Sequence, residues 1–162
     1  MRKIFFMSLL TVGTVAFDAI ETPFGKTDKI VGGAATYIAW SASYFSKLIN
    51  IVSVIGDDFD MKELELLKNE NGSNKTRGKV DTRGIDIKEG KKSFFWSGKY
   101  HMDMNTRDTL TTDLNVLMEF NPIVPDDYQS SDILLLGGCG CMFIRHLKNL
   151  EPELRLPNDY GG

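Results

Sequence analysis

Three short apolar runs punctuate the chain. Leu9-Leu10-Thr11-Val12 stops at Gly13, Ile51-Val52-Ser53-Val54-Ile55 stops at Gly56-Asp57-Asp58, and Ile133-Leu134-Leu135-Leu136 follows Ser130-Ser131-Asp132. Runs of this length, rich in leucine and β-branched residues and bounded by glycine or polar residues, predict buried strands of a parallel sheet. Between the first two lies Gly32-Gly33, which opens Ala34 to Phe45. Its AATYIAWSAS core predicts a helix, and its small residues let that helix pack closely on a sheet. Met61 to Asn69 places Leu64 and Leu67 among charged positions, the pattern of an amphipathic second helix.

Val80 to Ile87 and Ser93 to Tyr100 read as short strands, the latter aromatic through Phe94, Phe95, Trp96 and Tyr100. Asp126 to Leu136 repeats the strand signal. Thr22-Pro23-Phe24-Gly25 is a turn, and Asn71 to Lys79 has no hydrophobic period and is expected to be a solvated basic loop. Strands interleaved with helices imply an α/β layered sheet with a small β excursion. After Leu136 the pattern breaks: Gly137-Gly138-Cys139-Gly140-Cys141, a helix-like Met142 to Leu150, then Pro152, Pro157 and Gly161-Gly162. Residues 138–162 are therefore set apart as a tail that does not continue the organisation of residues 1–137.

Composition narrows the class. At 162 residues and 42% hydrophobic, the chain has the material for one domain with a core. Its 19 basic and 22 acidic residues nearly cancel, giving no broad field to attract nucleic acid or an anionic membrane. Cys139 and Cys141 are too close in sequence for an unstrained disulfide, and with His146 they supply three of the four ligands zinc wants. Two buried or idle thiols in a reducing, cytoplasmic setting are the expectation. Met1 to Phe17 has the outline of an export signal, with two positive charges before an apolar stretch, and two sequons begin at Asn71 and Asn74. The competing reading, a buried first strand with Met1 or Met7 as the start, agrees better with the β-branched run ending at Gly13.

Few residues carry legible chemistry. Gly72 to Val80 has five residues between its first two glycines and a valine where a phosphate loop needs a hydroxyl, so it fails as a nucleotide loop. His101 and His146 lack a partnering nucleophile motif and are expected to be structural or exposed. Asp57-Asp58 is expected to cap the following helix. The sharpest combination is Asp18, just past the first strand, with Gly32-Gly33 at a helix start. A carboxylate outside the carboxyl end of a parallel strand can accept hydrogen bonds from vicinal sugar hydroxyls, and backbone amides at the diglycine can donate to them.

Three segments, Thr11 to Asp18, Gly32 to Ala39 and Val54 to Phe59, resemble in order and spacing the N-terminal signature region of the ribokinase/PfkB carbohydrate kinases. The resemblance extends more weakly to about Gly137: Val80 to Ile85 resembles the segment after the first helix pair, and Ser93 to Tyr100 resembles part of the β lid. It implies a ribokinase-like, Rossmann-like three-layer α/β sheet with a small lid. It also implies transfer of the ATP γ-phosphoryl group to a sugar or nucleoside hydroxyl, with Mg²⁺ and ATP as cofactors. Asp18 and the adjoining Gly32 and Gly33 are then substrate-binding. Tyr37 stands where many members carry a substrate-contacting Asn.

Other departures accompany Tyr37. Asp60 replaces a usual glycine after Phe59, the Gly72 to Lys79 loop looks inserted, and Gly138 and Cys139 follow the last strand where a polar pocket residue is usual. No Gly-x-Gly-Asp occurs, so the family's anion hole, catalytic base and nucleotide site have no counterpart in this sequence. The chain therefore reads as the N-terminal part of such a kinase with an off-pattern tail, such as a frameshift or premature end leaves. It is expected to be inactive alone, to have no catalytic or metal-binding residue of its own, and to expose a strand edge. A non-catalytic sugar-binding module, or a homo-oligomer formed through the lid, is the alternative.

Overall fold

The computed structural model describes residues 7–65, 67 and 77–138. Two sheets organise them. The first is parallel and four-stranded, built from β1 (Ser8–Gly13), β5 (Leu48–Gly56), β6 (Lys79–Lys88) and β9 (Ile133–Gly137) in the order β6-β5-β1-β9. The three apolar runs are three of its strands, and β1 and β5 at its centre are buried almost throughout. Helix α1 (Ala34–Ala42) covers one face, where Leu9, Ile49, Ile51, Ile55 and Val80 pack with Ala35 and Ala39. On the other face, two 3₁₀ turns at Asn115–Glu119 and Asp126–Tyr128 bring Val116, Leu117 and Tyr128 onto Leu10, Val12, Val52 and Val54. Layers on both faces explain why the strands read as continuous apolar runs rather than alternating ones.

The second sheet is the lid. Here β2 (Ala16–Thr22) pairs with β3 (Gly25–Lys26), with β4 (Ile30–Gly32) and, in parallel, with β7 (Phe94–Tyr100), which pairs with β8 (Arg107–Asp113). The turn predicted at Thr22 to Gly25 joins β2 to β3, with the Thr22 hydroxyl donating to the Gly25 carbonyl at 3.0 Å. Only Thr14 and Val15 separate β1 from β2, so the chain leaves the main sheet and enters the lid within two residues.

Several expectations change. Asp18, expected just past the first strand, lies there within a second strand, β2. Met61–Leu64 is a single 3₁₀ turn rather than the start of a long α-helix, and the i→i+3 bond from Leu67 N to Leu64 O keeps that tight winding. Its cap is Asp60, which accepts from Lys62 N at 2.9 Å, and not Asp57 or Asp58. The predicted helix from Ala34 ends at Ala42, and Ser43 to Phe45 continue as turn. The front of the Asp126 to Leu136 segment is the 3₁₀ turn after Pro125, with the strand confined to its end. Nor is the basic loop solvated at its close: the Gly78 amide donates to the Ser43 carbonyl, and the Arg77 guanidinium sits 4.1 Å from the Trp40 ring centre. Asn71, Asn74, Cys139, Cys141, His146 and the rest of the tail lie outside the described residues.

Candidate functional site at the root of the lid

The site is built where β1 hands over to β2. Thr14, in that two-residue link, holds the start of α1: its hydroxyl accepts from Ala34 N and its carbonyl from Ala35 N, each at 2.9 Å. These bonds replace a side-chain N-cap, which Gly33 cannot provide. Gly33 has φ 93°, and a Cβ there would come within 2.8 Å of the Thr14 carbonyl carbon and 2.9 Å of Ala16 N. Glycine is required at that position by both conformation and space. The Thr36 hydroxyl donates to the Gly32 carbonyl at 2.8 Å, tying the first helical turn back to β4.

Asp18 and the diglycine, 14 and 15 residues apart in sequence, meet through the β2–β4 ladder, in which Ala16 lies opposite Gly32 and Asp18 opposite Ile30. A Cβ on Gly32 would overlap the Asp18 carboxyl, reaching 2.9 Å from even its farther oxygen. The carboxylate is half-buried, and among the described residues no hydrogen bond or ion pair engages it. Burial raises its pKa above the ordinary 3.8. An acceptor held in this way gains from any hydroxyl donors that replace its lost water.

Trp96 lies directly opposite Asp18 on β7, and Thr112 opposite Trp96 on β8. Registered neighbours project from the same sheet face, so Ile30, Asp18, Trp96 and Thr112 form one row across the lid. Phe17, Val31 and Phe95 belong to the opposite face and pack toward the main core. Sequence reasoning saw Trp96 only as an aromatic strand residue. Its place beside Asp18, 78 positions away, depends on a parallel pairing that no local pattern announces.

The remaining candidates do other work. Tyr37 is 56% exposed, and its ring lines an apolar groove of about 200 Å³ with Val31, Thr36, Trp40, Glu63 and Leu67. Asp57 accepts from Gly90 N at 2.7 Å, and Asp58 accepts from both Ser93 N and Ser93 Oγ at 2.7 and 2.8 Å while pairing with Lys29 at 3.1 Å. Burial pushes the Asp58 pKa up, but the Ser93 bonds and Lys29 outweigh it and hold the group below its ordinary value. These two aspartates clamp the entry of β7 to the end of β5, which fixes the lid on the main sheet. His101 is an exposed hairpin residue 2.8 Å from Asp108. Among the described residues no three His, Cys, Asp or Glu side chains gather as metal ligands, and no helix is long and apolar enough to cross a membrane.

This arrangement of strands and helix recurs in solved structures. An Agrobacterium tumefaciens protein assigned as a ribokinase superposes with a TM-score of 0.59 at 15% identity, over 80% of this chain and 44% of its own. The fold is ribokinase-like. The nucleoside kinase of Methanocaldococcus jannaschii, an archaeal ribokinase-family member, matches with a TM-score of 0.57 at 17% identity, over 80% and 44% of the two chains. The Burkholderia thailandensis nucleoside kinase, solved in complex with ADP-inosine, gives 0.52 at 15% identity over 68% and 38%. This chain therefore spans less than half the length of the ribokinase-like structures it matches. No family model and no curated protein matches the sequence.

Proposed function

We propose that the chain is the substrate-side part, residues 1–137, of an ATP-dependent carbohydrate or nucleoside kinase, with 138–162 as a tail foreign to that fold. The observation that carries this reading is the half-buried Asp18 carboxylate, without a partner among the described residues, set against Gly32 at the root of a ribokinase-like lid. Asp18 accepts hydrogen bonds from two vicinal hydroxyls of the substrate. Gly32 keeps the space beside the carboxyl open, and Gly33 offers backbone polarity at close approach. Tyr37 flanks the helix start, on the side where the substrate contact of related kinases is replaced. The lid excludes water from the bound hydroxyls, which strengthens each hydrogen bond.

No phosphoryl-transfer step is assigned to residues of this chain. In the reading, ATP and Mg²⁺ belong to a catalytic half that carries the Gly-x-Gly-Asp segment, and the isolated chain is a cytoplasmic binder of a small polyol with no nucleic-acid or membrane partner. Calorimetric titration with D-ribose tests it. Binding to the native chain that falls at least tenfold in Asp18→Asn, with no ATP turnover in either, is the expected result; ribose affinity unchanged in Asp18→Asn, or ATP turnover that depends on Asp18, overturns it.

A second reading, homo-oligomerisation through the lid, draws on β8. Six of its seven residues are exposed, and among the described strands it pairs only with β7, leaving an open edge. A lid-dependent dimer in sizing chromatography that persists in Asp18→Asn but is lost on Thr109→Pro supports that reading.

A further inference from the structure

The row that contains Asp18 also contains an aromatic surface with a defined attitude. A Cβ on Gly98, two residues along β7 on the same face, would fall 3.1 Å from Trp96 Cζ3 and nearer still to Cη2 and Cζ2. The indole therefore lies along the strand, its benzo ring laid over the Gly98 backbone where any side chain would displace it. The ring nitrogen donates to Thr109 Oγ1 at 3.4 Å, and the Arg107 guanidinium carbon stands 6.0 Å from the ring centre. The side chain remains partly exposed. The sheet backs the ring where it lies over Gly98, Arg107 stands over the ring at the outer limit of cation–π reach, and the strand that carries it runs one strand spacing, about 4.8 Å, from that of Asp18.

We propose that Trp96 is the specificity-determining residue of the Asp18 site and that its substrate class is the nucleosides: Asp18 holds the ribosyl hydroxyls and the indole stacks on the base. The proposal rests on the reading of Asp18 as the hydroxyl acceptor. A bare sugar satisfies the carboxylate but covers little of an indole spread over two strand positions. A planar base joined to the same ribose covers it, and base–aromatic stacking is worth about 1–3 kcal/mol, which is roughly a 5- to 150-fold gain in affinity. Gly98 is part of the device because only glycine lets the ring lie down. Stacking is tolerant of base identity, so the site discriminates nucleoside from sugar more sharply than one base from another.

Titration of the full chain with inosine and with D-ribose, each also against Trp96→Ala, Trp96→Phe and Asp18→Asn, separates the possibilities. The expected result is inosine bound at least fivefold more tightly than ribose, with that ratio abolished in Trp96→Ala, largely kept in Trp96→Phe, and both ligands weakened together in Asp18→Asn. Circular dichroism of each variant confirms that folding is retained. Ribose binding that depends on Asp18 with no inosine preference, or a preference unchanged in Trp96→Ala, overturns the nucleoside assignment while leaving the kinase reading intact. Binding of neither ligand, or binding indifferent to Asp18, overturns both.

Discussion

Gly32 and Gly33 stand side by side, yet alanine at each should have opposite consequences. At Gly33 the atoms nearest the new methyl are backbone, the Thr14 carbonyl and Ala16 N, and the residue's φ of 93° is itself unfavourable for an L side chain. Backbone strain of this kind costs about 1–3 kcal/mol, and the overlap with immovable backbone adds to it, so a loss of about 3 kcal/mol or more is expected. For a chain of 162 residues that is a fall in Tm of roughly 6–12 °C. At Gly32 the three atoms nearest the methyl all belong to the Asp18 carboxyl, the far end of a side chain with no partner to forfeit among the described residues. The carboxyl can swing aside, and replacing glycine recovers about 0.4–1 kcal/mol through the unfolded chain. Gly32→Ala should therefore leave Tm within about 3 °C of the parent while weakening ribose or inosine binding more than tenfold. Differential scanning calorimetry and titration on the same preparations read both quantities. A Gly32→Ala protein as unstable as Gly33→Ala would refute the reasoning, because it would mean Asp18 is fixed by the fold rather than held open for a ligand.

Further outcomes follow from the charges and the exposed face. Burial raises the Asp18 pKa, so its ionised form opposes folding at neutral pH, and Asp18→Asn should melt at or above the parent temperature; a clear fall in Tm would contradict this. Asp81 is desolvated, but Arg83 and the Tyr128 hydroxyl (2.7 Å) hold its pKa down at about 2. A depressed carboxylate stabilises above its unfolded pKa of 3.8 and loses that contribution as pH falls toward 2. Because Arg83 is 67% exposed, the loss is expected to be about 1 kcal/mol, and denaturation profiles between pH 5 and pH 2 that are unchanged by Asp81→Asn would refute it. Leu135 and Phe45, 44% and 86% exposed, line an apolar groove beside β9, a strand that among the described residues pairs only with β1. Self-association through that face is expected, and Leu135→Lys should shift sizing profiles toward the monomer; a parent chain already monomeric at high concentration would contradict the expectation.

What the sequence disclosed depended on how local each signal was. β1, β5 and β9 were legible because both sheet faces are covered, which leaves unbroken apolar runs ending in glycine. The diglycine helix start was legible because Gly33 is demanded by a positive φ. The lid was mostly hidden. β2 begins two residues after β1, so no composition change separates them, and β8 is polar and exposed on nearly every residue, which erases the alternation that would mark a strand. The role of Asp58 was misread for a related reason: its partners Ser93 and Lys29 are distant in sequence, while the local cap it was expected to form belongs to Asp60. The residue pattern already joined Asp18 to the diglycine and the resemblance to PfkB kinases predicted the fold, but Trp96 entered the site only through the β2–β7 register.

The central claim is a location, the lid face bearing Asp18, Gly32, Gly33 and Trp96. The most direct measurement is an ¹⁵N–¹H correlation spectrum of the chain titrated with inosine. The account predicts progressive shifts of the Gly32 and Gly33 amides and of the Trp96 indole N–H, absent in Asp18→Asn. Shifts confined instead to Gly84, Asp86 and Asn121, which line a separate cavity of about 360 Å³ over β5 and β6, would contradict it.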